Sequence, residues 1–148
     1  PHSRNTAGNI SWLACLARAL GCRRAAVTDA ASHDRLIAYT SDLPHILAAV
    51  LMNSGTFREG LSSFTAGSFH DMTRIADMNS ALWTELLMEN RDILSGEICA
   101  FQNRLETLKQ MLERCDKKQM KAFFEEASER KRALNHEENS GQFKKIFL

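Results

Sequence analysis

The sequence predicts an all-α domain, a helical bundle of long buried and coiled-coil-like helices. Apolar residues recur at three- and four-residue spacing through most of the 148 residues. Breakers are scarce, at 2 Pro and 7 Gly. A seam of Ile98, Phe101, Leu105, Leu108 and Leu112 repeats at intervals of 3, 4, 3 and 4, the signature of helices that wind on one another.

Each element follows from a local pattern. Residues 1–9 are polar and turn-rich and read as a linker. Ile10, Leu13, Ala14, Leu16, Ala17 and Leu20 mark a first helix, which Gly21 stops. Residues 25–28 read as a short extended segment, after which Thr28 or Asp29 caps a long helix over about 30–53. Leu36, Ile37, Tyr39, Leu43, Ile46, Leu47, Val50 and Leu51 fill most of its circumference, so it is expected to be central and buried. Pro44 stands in its middle, where a missing N–H forces a kink or a local loosening. Asn53-Ser54-Gly55 ends that helix, and a short helical turn is expected around Phe57–Leu61. Short helices follow at about 69–77 and 80–89, then the seam helix at about 91–115. A last helix over about 117–135 folds back on the seam, and 136–148 form a tail with an apolar end.

Composition narrows the function classes. Hydrophobic residues are 44% of the chain, enough for one core. The net charge of +1 gives no case for nucleic acid or an anionic membrane as partner. No run of about 18 apolar residues spans a bilayer, and the polar first residues are no secretory signal. Cys15, Cys22, Cys99 and Cys115 form neither a C-x-x-C pair nor a disulfide framework. They read as reduced, mostly buried cysteines of a cytoplasmic protein. Neither G-x-G-x-x-G nor G-x-x-x-x-G-K-[ST] occurs, so no nucleotide site and no Rossmann domain is written in this chain. It begins with Pro, which suggests a piece of a longer protein.

Two polar clusters interrupt the apolar helices. One is Ser41-Asp42-Leu43-Pro44-His45, beside the proline. The other is Thr65-Ala66-Gly67-Ser68-Phe69-His70-Asp71-Met72-Thr73-Arg74-Ile75-Ala76. Asp71 and Arg74 are three apart and share a helix face. Taken alone they read as an exposed ion pair, worth roughly 0–1 kcal/mol, and His45 as a satisfied core histidine. The alternative is a shared cleft in which a guanidinium grips a carboxylate through two parallel bonds. His33, Asp34, His45, His70 and Asp71 also raise the metal cluster of an HD-type phosphohydrolase, a rival that needs its ligands to converge. No metal site is expected.

These motifs, with His33-Asp34-Arg35, Leu82-Trp83, Glu89-Asn90-Arg91 and the closing Phe123-Phe124-Glu125-Glu126-Ala127-Ser128-Glu129-Arg130, resemble the C-terminal helical domain of bacterial prephenate dehydrogenases. The resemblance covers residues 10–135. It implies a homodimer that closes over prephenate, with tyrosine as a candidate inhibitor. In that family an N-terminal Rossmann domain binds NAD or NADP and carries the catalytic histidine. This chain would then hold no catalytic and no cofactor-binding residue, and would be inactive alone. By resemblance Arg74 clamps a substrate carboxylate, Asp71 orients it, and His45 and Ser41 line the cleft. Gly67 lets backbone approach the ligand, and Trp83 stands near the pocket edge. The chain departs from the family at Asp42, where many members carry His, and in its Ala66-Gly67-Ser68 loop, which is poorer in glycine. A carboxylate beside a dianionic substrate needs a cation or a proton, so Asp42 is expected not to touch the substrate but to pair with a cation, for which the domain outside this chain is a candidate source. The alternative function is a non-catalytic helical dimerisation or tyrosine-sensing module.

Overall fold

The computed structural model describes residues 5–22, 25–54 and 60–140, with side chains to Glu137. The regular structure of the described residues is all helical, with no strand among them. The expected turn around Phe57–Leu61 falls mostly outside them, as do residues 1–4 of the linker and 141–148 of the tail.

Two compact units are described separately. The first comprises Pro1–His33 with Leu105–Leu148, the second Asp34–Arg104. In the first unit, helix α1 runs Ala7–Ala19. It starts three residues before the expected Ile10 because Thr6 Oγ1 accepts from the Asn9 backbone N–H, satisfying a donor that a helix start leaves bare. It ends where Gly21 takes a φ of 89°, and Cys22 N–H reaches back to the Ala17 carbonyl. Helix α2, Ala30–Ile37, begins in this unit. Asp29 caps it, its Oδ1 accepting from the Ser32 N–H at 2.9 Å. The expected extended segment at 25–28 has no regular structure.

The second unit carries the features that matter for function. After α2 the chain does not continue as an α-helix. Residues Ala38–Asp42 form a π-turn, in which Leu43 N–H bonds to the Ala38 carbonyl five residues back. Helix α3, Leu43–Met52, then starts with Pro44 in its first turn. The loosening expected at Pro44 is thus a one-residue widening ahead of the proline. A 3₁₀ turn at Leu61–Ser63 precedes α4, Gly67–Thr73, which packs against α3. Helix α5, Ser80–Glu89, is capped by Asn79, whose Oδ1 accepts from Leu82 N–H. Asn90 separates it from α6, Arg91–Glu113.

Helix α6 ends at Cys115, a non-glycine residue with φ 54°. There Asp116 N–H bonds to the Met111 carbonyl and Cys115 N–H to that of Leu112. Asp116 then caps α7, Lys117–Ser140, through Gln119 N–H. Met120 and Phe123 are half-buried, whereas residues 124–137 are exposed, and the extended packing on α6 expected of this helix is not found among the described residues.

Burial is sparse. Ala38, Leu43, Ala48 and Leu94 are the buried apolar residues among those described, all in the second unit. The long helix expected to be buried around its circumference is buried along one side, with Tyr39 64% and Leu36 55% exposed on the other. In the seam, Leu105 and Leu112 are exposed. The cysteines depart from expectation: Cys15, Cys22, Cys99 and Cys115 are all exposed. They lie on helix faces or terminal turns that the described residues leave open.

Candidate functional site

The second unit contains a cavity of about 350 Å³, within the range usual for small-molecule sites. Asp34 and Ile37 of α2, Ser41 and Asp42 of the π-turn, Trp83, Leu86 and Glu89 of α5, and Asn90 line it. The local sequence explains this convergence. Pro44 has no N–H for the Thr40 carbonyl, which loses its α-helical partner. The widened turn inserts one residue and turns Ser41 and Asp42 toward α5.

His45 lies one turn beyond Ser41. Its Nδ1 is 2.8 Å from the Ser41 carbonyl. A carbonyl only accepts, so Nδ1 carries the hydrogen and Nε2 is left for another partner. The imidazole stacks on the Trp83 indole, with ring centroids 3.8 Å apart and planes inclined by 28°. Helices α3 and α5 thus meet through two rings at the edge of the cavity. Trp83 holds both a lining position and the stack.

Asp42 is 5% exposed and one of two buried polar residues among those described. A buried carboxylate is costly without partners. Its Oδ2 accepts from Asn90 Nδ2 at 3.4 Å, and the same nitrogen donates to the Asp34 carbonyl at 2.9 Å. No cation pairs with Asp42 among the described residues. Three carboxylates, from Asp34, Asp42 and Glu89, therefore line one cavity.

The six residues singled out in the sequence divide. Ser41 and Trp83 line the cavity, and His45 adjoins it through the stack. Gly67, Asp71 and Arg74 belong to the α4 segment and are exposed. They are not among the cavity-lining residues, although α4 packs on the helix that carries His45. Asp71 and Arg74 form no ion pair within the described residues, and the Arg74 N–H closes α4 on the His70 carbonyl. A Cβ at Gly67 would meet nothing within 4 Å, so no described neighbour enforces glycine there. No group of three or more His, Cys, Asp or Glu is placed as metal ligands would be among the described residues. None of their helices is long and apolar enough to cross a membrane.

Sequence reasoning assigned no role to Asn90. Its partners lie 48 and 56 residues away, beyond any local pattern. The available signal was a polar residue standing between two helices.

The stack has a measurable worth. A double-mutant cycle on His45→Ala and Trp83→Ala, read by urea unfolding, is expected to give a coupling of about 0.5–1.5 kcal/mol. Additive losses would separate the two rings.

Known proteins resemble this chain. The family model described as "Prephenate dehydrogenase, dimerization domain" matches residues 29–126. A prephenate dehydrogenase from Lactococcus lactis subsp. cremoris (strain MG1363) is 31% identical over 112 residues, 73% of this chain and 32% of that protein. The chain therefore spans about a third of the length of this curated relative. Two solved structures share the fold. A Synechocystis arogenate dehydrogenase matches with a TM-score of 0.75 at 18% identity, over 90% of this chain and 50% of its own. A prephenate dehydrogenase from A. aeolicus, in complex with hydroxyphenyl propionate and NAD+, matches with 0.73 at 21%, over 90% and 48%. With more than half of its length matched by the family model, this chain belongs to the prephenate dehydrogenase dimerization-domain family.

Proposed function

We propose that this chain is the substrate-closing, dimer-forming half of a prephenate dehydrogenase and works with a cofactor domain outside it, in the cytoplasm. The observation that carries this reading is the family match over 29–126, which contains both polar clusters and the cavity. The reaction is oxidative decarboxylation of prephenate to 4-hydroxyphenylpyruvate in tyrosine biosynthesis. NAD or NADP, held by the other domain, accepts the hydride. This chain has no glycine-rich phosphate loop, so alone it binds no cofactor and is inactive.

Its own residues bind and orient. The cavity is acidic on one wall, through Asp34, Asp42 and Glu89, and like charges repel a dicarboxylate there. We place the substrate ring against the Trp83–His45 stack and Ser41, with its carboxylates directed to α4. Arg74 is the cation suited to hold one of them, since its guanidinium is always charged and makes paired bonds. Asp71 orients Arg74, and Gly67 leaves room for ligand beside backbone. His45 Nε2 offers a further polar contact. Tyrosine shares an aromatic ring and a carboxylate with this ligand class and is the candidate inhibitor.

Assembly follows from exposed apolar area. Leu105 and Leu112 present a seam that is 56% and 59% exposed in the single chain. A second copy of this chain covers such a face without leaving an edge open.

Two measurements test this reading. In the full-length protein, Arg74→Ala is expected to lower kcat/KM for prephenate by ~1.5–3 kcal/mol, the worth of a hydrogen bond to a charged group. An unchanged value removes Arg74 from the site. Light scattering at micromolar concentration is expected to return a dimer, and a monomer would contradict the assembly.

A further inference from the structure

Asn90 has no assigned role, yet it ties together the two ends of the π-turn. Its amide nitrogen carries two hydrogens. One reaches the Asp34 carbonyl in α2 at 2.9 Å, before the π-turn. The other reaches Oδ2 of Asp42, the last residue of the π-turn, at 3.4 Å. Asn90 itself is half-buried at the end of α5, the helix that carries Trp83. One side chain thus links α5 to both flanks of the widened turn. All three residues line the same cavity.

We propose that Asn90 is a positioning residue for the substrate site: it holds the π-turn against α5, so that Ser41 faces the cavity and His45 stays beneath Trp83. The reasoning is energetic and geometric. A π-turn is an uncommon backbone state with poorer hydrogen bonding than an α-helix. Pro44 prevents one α-helical bond but does not fix where the loosened turn points. Asn90 fixes it, because its two hydrogens meet acceptors on either side. It also supplies the sole described hydrogen bond to the buried Asp42 carboxylate. Side-chain amides suit this position. An acid there would add a fourth carboxylate to the cavity, directly against Asp42, and an apolar side chain would take the donor away from the buried Asp42 carboxylate.

This inference rests on the proposed function for its kinetic consequence, and its structural consequence is read independently. The test uses the full-length protein with Trp12 and any tryptophan of the cofactor domain replaced by Phe, which leaves Trp83 as the reporter. Asn90→Leu, close in size but without donors, is expected to unstack the rings and raise Trp83 emission. It is also expected to raise KM for prephenate by about ten- to a hundredfold with kcat within about threefold, the effect of a displaced binding wall. Asp42→Asn keeps an acceptor for Asn90 and is expected to leave Trp83 emission near that of the parent. Should Asn90→Leu lose helical content, Asn90→Gln takes its place, with the same amide on a longer arm and the same expected rise in emission. Unchanged emission and KM in the folded Asn90 variant would overturn the proposal. So would an Asp42→Asn variant whose Trp83 emission rises as far as that of Asn90→Leu, since the charge rather than the tie would then hold the rings. If the parent protein does not turn over prephenate, the proposed function fails, while the emission change still decides the role of Asn90.

Discussion

Pro44 lacks the hydrogen that an α-helix needs at its position, and the architecture around the cavity depends on that one missing donor. A proline inside a helix costs about 3 kcal/mol or more when the backbone cannot yield. Here it yields by widening. Leu43 bonds to Ala38, five residues back, and α3 starts afresh with Pro44 in its first turn, where proline is tolerated. The extra residue changes which side chains look toward α5. Ser41 and Asp42 reach the cavity, and His45 meets Trp83. A polar site is therefore obtained inside an apolar helix without breaking it.

The second constraint is the shortage of core. Four buried apolar residues among those described, two of them alanines, are few for a chain that is 44% hydrophobic. Buried apolar area is the main favourable term in folding. A chain that leaves Trp12, Tyr39, Phe64 and Leu112 exposed forgoes much of that gain by itself. Stability and dimerisation are in this sense one problem, as they are in obligate homodimers. The proposed function implies a similar division of labour, in which the α4 segment offers the cation, α3 and α5 offer the two rings, the π-turn offers hydrogen bonds, and a domain outside this chain supplies the cofactor chemistry.

Much of this was legible in the sequence, for identifiable reasons. Helical periodicity located α3, α5, α6 and α7, because spacing alone fixes which residues share a face. The disturbance at Pro44 was legible because a missing N–H is a covalent fact. The Thr6 cap escaped notice because a polar, turn-rich segment hid a single side chain-to-backbone bond. Cysteine burial was misjudged because helical spacing gives a face but not what covers it, and Cys15 and Cys99 are on faces left open. At the site, motif resemblance pointed to Ser41, His45 and Trp83. It could not reveal that two of these rings stack, or that Asn90 spans 48 and 56 residues to reach its acceptors. Such contacts are set by tertiary packing, which no local pattern encodes.

The backbone bond pattern at the proline is the most direct test of this account. Through-hydrogen-bond scalar couplings in isotope-labelled protein identify which carbonyl accepts from each amide. The account predicts a coupling from the Leu43 nitrogen to the Ala38 carbonyl carbon. A coupling from Leu43 to the Tyr39 carbonyl carbon instead would mean an uninterrupted α-helical register, and the site as described would not exist.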